Sequence, residues 1–174
     1  MKPRISYLFI FVSSALAFGL ASIFHFAYEW LGSNLFAGLF FPVNESVFQH
    51  LKLILYPLAI VWILLYRWVD IPERLNKFQI FTGILISTVI TTYAILSIYY
   101  ILEGGFLCRC DAVNIVSLFF CMLIGQFFSS RYLSRSHASE WGGICSIILL
   151  VAMAVLLAYF TLYPLNIPIM TPPG

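Results

Sequence analysis

The sequence predicts an all-α fold, a polytopic membrane bundle of five transmembrane helices, and three observations predict it. The 174 residues are 62% hydrophobic and only 9% charged, with a mean hydropathy of +0.99. Five apolar runs approach or exceed the roughly 20 residues that cross a hydrocarbon layer as a helix. The few basic residues gather at alternate ends of those runs, as they do in polytopic membrane proteins.

The first predicted helix covers residues 5–28, between Arg4 and Glu29 and interrupted only by His25. Lys2, Arg4 and Ala15-Leu16-Ala17 resemble the start and cleavage site of a signal peptide. The apolar run continues well past Ala17, however, so an uncleaved anchor is expected. Ala15, Ala17, Gly19, Ala21 and Ser22 suit close helix packing. The second helix covers 46–67, and Pro57 removes a backbone donor and introduces a kink. The third covers 78–102, with Gly83, Ser87 and Thr91 at spacings of four, a small-residue stripe for a neighbouring helix. The fourth covers 112–131 and the fifth 141–163. Four prolines in the tail, residues 164–174, predict an extended or polyproline-like strap over one mouth of the bundle. The whole of 1–174 is one membrane domain.

Orientation follows from the nine Lys and Arg residues. Lys2, Arg4, Arg67, Arg74, Lys77, Arg131 and Arg135 share one side, and Lys52 and Arg109 the other. The positive-inside rule puts the N-terminus in the cytoplasm and the C-terminus outside, across a cytoplasmic (inner) membrane. A net charge of +2, carried by membrane anchors, gives no nucleic-acid signal. The lipid bilayer is the expected partner. A membrane partner protein is compatible with a chain that has no soluble domain, but no motif names one.

The chemistry-bearing segment is Pro42-Val43-Asn44-Glu45-Ser46-Val47-Phe48-Gln49-His50-Leu51-Lys52. Ionisable groups in a bilayer carry a penalty of roughly 2.5–3.5 kcal/mol each at its centre, so a cluster of them marks a place to look. His25-Phe26-Ala27-Tyr28-Glu29 adds a second imidazole and carboxylate at the same predicted depth, four residues apart on one helix face. Ser46 can cap the second helix with Gln49 reaching back in a capping box, which leaves Glu45 free to curl toward His50. A cap at Asn44 would instead put Glu45 in the first turn. Spacing also allows His25 to pair with Glu29, and Glu45 with Lys52.

His25, Glu29, Glu45 and His50 are sufficient donors for zinc or iron. In a catalytic reading, Glu45 acts as general base and Lys52 steadies a developing anion. Three functions are open on sequence: a metal-dependent membrane hydrolase acting on a lipid or envelope substrate, a structural or assembly subunit whose polar groups pin helices, and a small transporter component. Cys108-Arg109-Cys110 lacks the spacing of thiol oxidoreductases. Cys121 and Cys145 suit small buried positions, Gln126 suits an interhelical hydrogen bond, and His137 a solvated turn.

The string Asn44-Glu45-Ser46-x-x-x-His50-Leu51-Lys52 resembles a family of small five-helix bacterial membrane proteins of unknown function. His25-Phe26-x-Tyr28-Glu29-Trp30, Asp111, Gly125-Gln126 and Pro164-x-x-Ile167-Pro168 extend the likeness over most of the chain. Cys108-Arg109-Cys110 and the short tail after Pro168 depart from it. The resemblance implies the five-helix topology and the choice of site residues, and it implies no activity, cofactor or substrate.

Overall fold

Ser and Asn side chains start most of the helices. The computed structural model describes residues 6–68, 76–106, 110–135 and 139–172. The helices are α1 (Tyr7–Trp30), α2 (Leu35–Phe40), α3 (Val47–His50), α4 (Lys52–Trp68), α5 (Lys77–Tyr100), α6 (Asp111–Arg135) and α7 (Glu140–Leu162). Ser6, Asn34, Ser46, Asn76 and Ser139 each accept a bond from a backbone N–H three residues on. That satisfies a donor the first helical turn would otherwise strand. At Asn76 the box is complete, because Gln79 also accepts from the Asn76 N–H at 2.9 Å.

No strand occurs among the described residues. Five helical stretches among the described residues are long and apolar enough to cross a membrane: Tyr7–Trp30, Val47–Leu65, Phe78–Gly105, Ala112–Arg135 and Glu140–Leu162. The α3–α4 break is a single turn at Leu51, bridged by Leu55 N–H to Leu51 O at 3.1 Å, so the two form one span. Helix α4 runs on through Pro57. Past Tyr100 the chain widens into a π turn, Ile101–Gly105.

Helix α1 packs on α4 and α6, and α5 is the central element, touching α4, α6 and α7. The small-residue stripe of α5 meets α6 at very close range. Ser129 Oγ donates to Gly83 O at 2.9 Å, and Thr91 Oγ1 donates to Cys121 O at 3.3 Å. A Cβ on Gly125 would collide with Thr91 Oγ1 and the Ser87 carbonyl, and one on Gly143 of α7 would collide with Phe78. These glycines are there because two backbones need the space.

Two apolar clusters fill the interior. Ala17, Ala21, Leu53, Ile54, Leu58, Val61 and Met122 join α1, α4 and α6. Trp62, Ile80, Ile84 and Leu133 join α4, α5 and α6 nearer the other end.

Some expectations are corrected. Cys145 is exposed on α7, whereas Cys121 is fully buried. The tail is not wholly extended. Pro168–Met170 form one 3-10 turn that packs on α3, since proline is well placed in a first helical turn. The short α2 was not anticipated. Lys2, Arg4, Pro72, Arg74, Cys108, Arg109 and His137 lie outside the described residues.

Candidate metal centre

Local chain geometry builds the site. Helix α1 ends in a Schellman motif, with Gly32 N–H bonded to Glu29 O and Ser33 N–H to Tyr28 O, both at 3.0 Å. Gly32 takes φ +79° and Ser33 φ +49°, the left-handed conformation this termination requires. The reversal sends the chain into α2 and then back along Pro42–Ser46 to the start of α3.

At that start Ser46 is the cap. Its Oγ accepts from Gln49 N–H at 3.4 Å, and Asn44 Oδ1 accepts from Ser46 N–H at 3.0 Å. Asn44 therefore does what the capping box assigned to Gln49. The Gln49 side chain is released for other partners: Oε1 accepts from Lys52 Nζ at 2.6 Å, and Nε2 donates to Thr161 Oγ1 at 3.3 Å.

Glu45 lies just outside the helix and curls onto it. Its Oε2 stands 3.3 Å from His50 Nε2, and its Oε1 stands 3.9 Å from His25 Nε2. The two imidazole rings are 5.3 Å apart between centroids and tilted by 35°. One ligand atom from each of His25, Glu45 and His50 lies within 4.8 Å of the others. The His50 Nδ1 is 2.8 Å from the Ser46 carbonyl. A carbonyl can only accept, so Nδ1 carries the proton and, in the neutral ring, Nε2 presents its lone pair to the cluster. Metal-binding histidines are commonly oriented by such a bond.

The donor set fits zinc. Ligands 2.0–2.1 Å from a tetrahedral ion are about 3.3 Å apart, the His50–Glu45 separation. The widest gap, up to 4.8 Å, has to contract by roughly 1.5 Å to reach that geometry. The Glu45 side chain is 67% exposed, and its two oxygens lie 3.3 Å from His50 and 3.9 Å from His25. Three protein ligands leave a fourth position open, the pattern of catalytic rather than structural zinc sites.

Two expected members of the site stand apart. Glu29 is exposed at the end of α1 and is outside the three-residue group. The carboxylate beside His25 is Glu45, so the expected His25–Glu29 pair is replaced by one between elements. Lys52 is fully buried, and its ammonium donates to Gly38 O at 2.6 Å, Phe41 O at 3.1 Å and Gln49 Oε1. All three of its donors are occupied, and no Glu45–Lys52 ion pair exists among the described residues. Lys52 ties α2 to α4 instead of facing an open site. The sequence reading missed the Ser46 carbonyl, although an imidazole four residues beyond an N-cap was a usable signal.

These observations define a class: a helical protein with five membrane-length spans among its described residues and a cluster of two imidazoles and a carboxylate at one end. The chain belongs to a family of unknown function (DUF6512), whose sequence profile matches residues 3–172. No curated protein and no solved structure matches it.

Proposed function

We propose that this is a metal-dependent membrane protein that holds zinc, or iron in its place, between His25, Glu45 and His50, and that it hydrolyses a lipid or envelope substrate. The observation that carries the proposal is the convergence of three ligand atoms from α1, the 41–46 segment and α3, with His50 already oriented by Ser46. Stability alone does not account for it. Exposed ion pairs contribute about 0–1 kcal/mol, and the Glu45 side chain is 67% exposed.

A divalent ion at this position supplies Lewis-acid polarisation of a carbonyl or phosphoryl oxygen and acidifies water there. The chain's own residues set the geometry: His50 is fixed by Ser46, and Glu45 spans both imidazoles. Because Glu45 is a ligand in this reading, it does not serve as a free base.

The lipid class rests on exposed apolar side chains at the end of α1 and the start of α2. Phe26, Trp30, Leu35 and Phe36 are 50%, 68%, 71% and 73% exposed, and Phe26 touches the His25 ring. Aromatic groups at the end of a span sit at the headgroup level, where a lipid's ester or phosphoester bond also lies. In this reading the lysine and arginine distribution supports an orientation with this end outside and the N-terminus inside.

One observation weighs against the transporter reading. The apolar cluster of Ala17, Ala21, Leu58 and Met122 lies inward of the site.

Elemental analysis of detergent-purified protein tests the proposal. Wild type is expected to carry close to one zinc or iron per chain, and His50→Ala to lose it while keeping its helical content and elution volume. Metal-free wild type after zinc reconstitution would refute the metal reading. A metal-loaded protein that hydrolyses neither phospholipid nor acyl-ester probes in vesicles would refute only the hydrolase reading.

A further inference from the structure

The interior holds a second polar feature, unrelated to the metal cluster. Trp62 Nε1, Thr88 Oγ1, both amide atoms of Gln126 and Ser130 Oγ are buried without any hydrogen-bond partner. All four residues are at most 2% exposed. Gln126 was expected to bond across helices, and it does not.

Helix register brings them to neighbouring levels. Gly83 O meets Ser129, and a Cβ on Gly83 would lie 3.4 Å from the Trp62 ring. Trp62 and Ser130 therefore share a level. One turn along, Ser87 O faces Gly125, so Thr88 and Gln126, the next residue on each helix, lie at one level. Gln126 and Ser130 are four apart on α6 and share a face.

Each such group, unpartnered in hydrocarbon, is strongly unfavourable. Four in adjacent turns call for a ligand, and their chemistry selects it. The indole N–H and the amide NH2 are donors that repel a cation. No lysine or arginine among these four residues offers a charge to an anion, and Gln126 Oε1 needs a donor. A small neutral molecule that both donates and accepts satisfies the set, as water does with two to four bonds.

We infer that Trp62, Thr88, Gln126 and Ser130 form an internal water-binding site in the α4–α5–α6 core. The apolar cluster containing Leu58, Val61 and Met122 separates this water from the metal-cluster end.

The test uses full-length protein in nanodiscs, with Trp30, Trp68 and Trp141 replaced by Phe so that Trp62 is the sole 15N-labelled indole. A water-selective NOE experiment is expected to show a direct cross-peak from long-lived water to the Trp62 indole N–H. Gln126→Leu is expected to remove or strongly weaken it. A Trp62 indole with no water contact overturns the inference, as does a cross-peak untouched by Gln126→Leu. Should the triple replacement not fold, a wild-type spectrum assigned by losing one peak in each of Trp30→Phe, Trp68→Phe and Trp141→Phe gives the same readout. Loss of that cross-peak on adding urea or glycerol, with Trp62 still buried, would reassign the pocket to a larger neutral ligand and overturn the water assignment.

Discussion

Glu45 and His50 interleave with Gln49 and Lys52 in one eight-residue stretch, yet the two pairs do opposite things. Gln49 and Lys52 are buried, and their polar atoms are satisfied by Gly38, Phe41, Thr161 and each other. Glu45 and His50 are partly open to solvent and stand with His25 so that one ligand atom from each lies within 4.8 Å of the others, the gap where the proposed ion would sit. The scarcity of charge in a membrane chain flags both pairs equally. What separates them is saturation: a polar group with every bond made is structural, and one with a free lone pair facing another is available for chemistry.

Breaking the saturated pair is expected to have the largest effect. Lys52→Met strands the Gly38 and Phe41 carbonyls and the Gln49 amide oxygen. Leaving such acceptors buried costs about 1–3 kcal/mol each, so a loss of roughly 3 kcal/mol or more is expected in an SDS-unfolding titration. Metal content per folded molecule is expected to stay at the wild-type value. A Lys52→Met protein that folds as well as wild type but loses its metal would move Lys52 into the site and dissolve the contrast.

The open pair should behave in the reverse way. Glu45→Gln keeps the shape of the side chain and removes an anionic ligand. Zinc affinity is expected to fall by at least about 100-fold, since disturbing even the groups that orient metal ligands costs 10–100-fold. Stability without metal should change by less than about 1 kcal/mol, as for an exposed ion pair. Competition with a chelating dye measures the first, and the unfolding titration the second. A large stability loss at unchanged affinity would make Glu45 a helix pin.

The legibility of these features in the sequence follows the range of the interactions behind them. Spans depend on apolar length alone, and five of them are readable without any tertiary knowledge. The curl of Glu45 onto His50 was legible because Ser46 is a local cap that places Glu45 outside the helix. The same cap explains the failure of the Glu45–Lys52 pairing: a seven-residue spacing has a helical phase only if both residues are helical. Helix α2 escaped because Leu35–Phe40 is six residues long with no polar face, and its one local signal is Asn34. The partners of Lys52 were out of reach for a different reason. Two are backbone carbonyls of residues 38 and 41, and a carbonyl's position carries no residue-type signature. Gln126 shows the converse, since its composition said "interhelical bond" and its packing in the α6 core supplies no partner.

The smallest expected effect sharpens the boundary of the site. Glu29 shares a helix face with His25 by spacing, and for that reason it was a natural fourth ligand. The carboxylate beside His25 is Glu45, which arrives from a different segment and lies 3.9 Å from His25 and 3.3 Å from His50, while Glu29 stays exposed beside the Schellman turn. An exposed carboxylate next to a helix C-terminus gains nothing from the dipole there and weakly opposes it. Glu29→Gln is therefore expected to leave zinc stoichiometry unchanged and affinity within about threefold, and to change stability by no more than about 0.5 kcal/mol in either direction. Parallel dye-competition titrations of Glu29→Gln and Glu45→Gln make the measurement. Equal losses in the two variants would mean that the open coordination position is filled by Glu29 once an ion is bound. The site would then be a closed, four-ligand structural centre, and the catalytic reading would fall while the metal stayed.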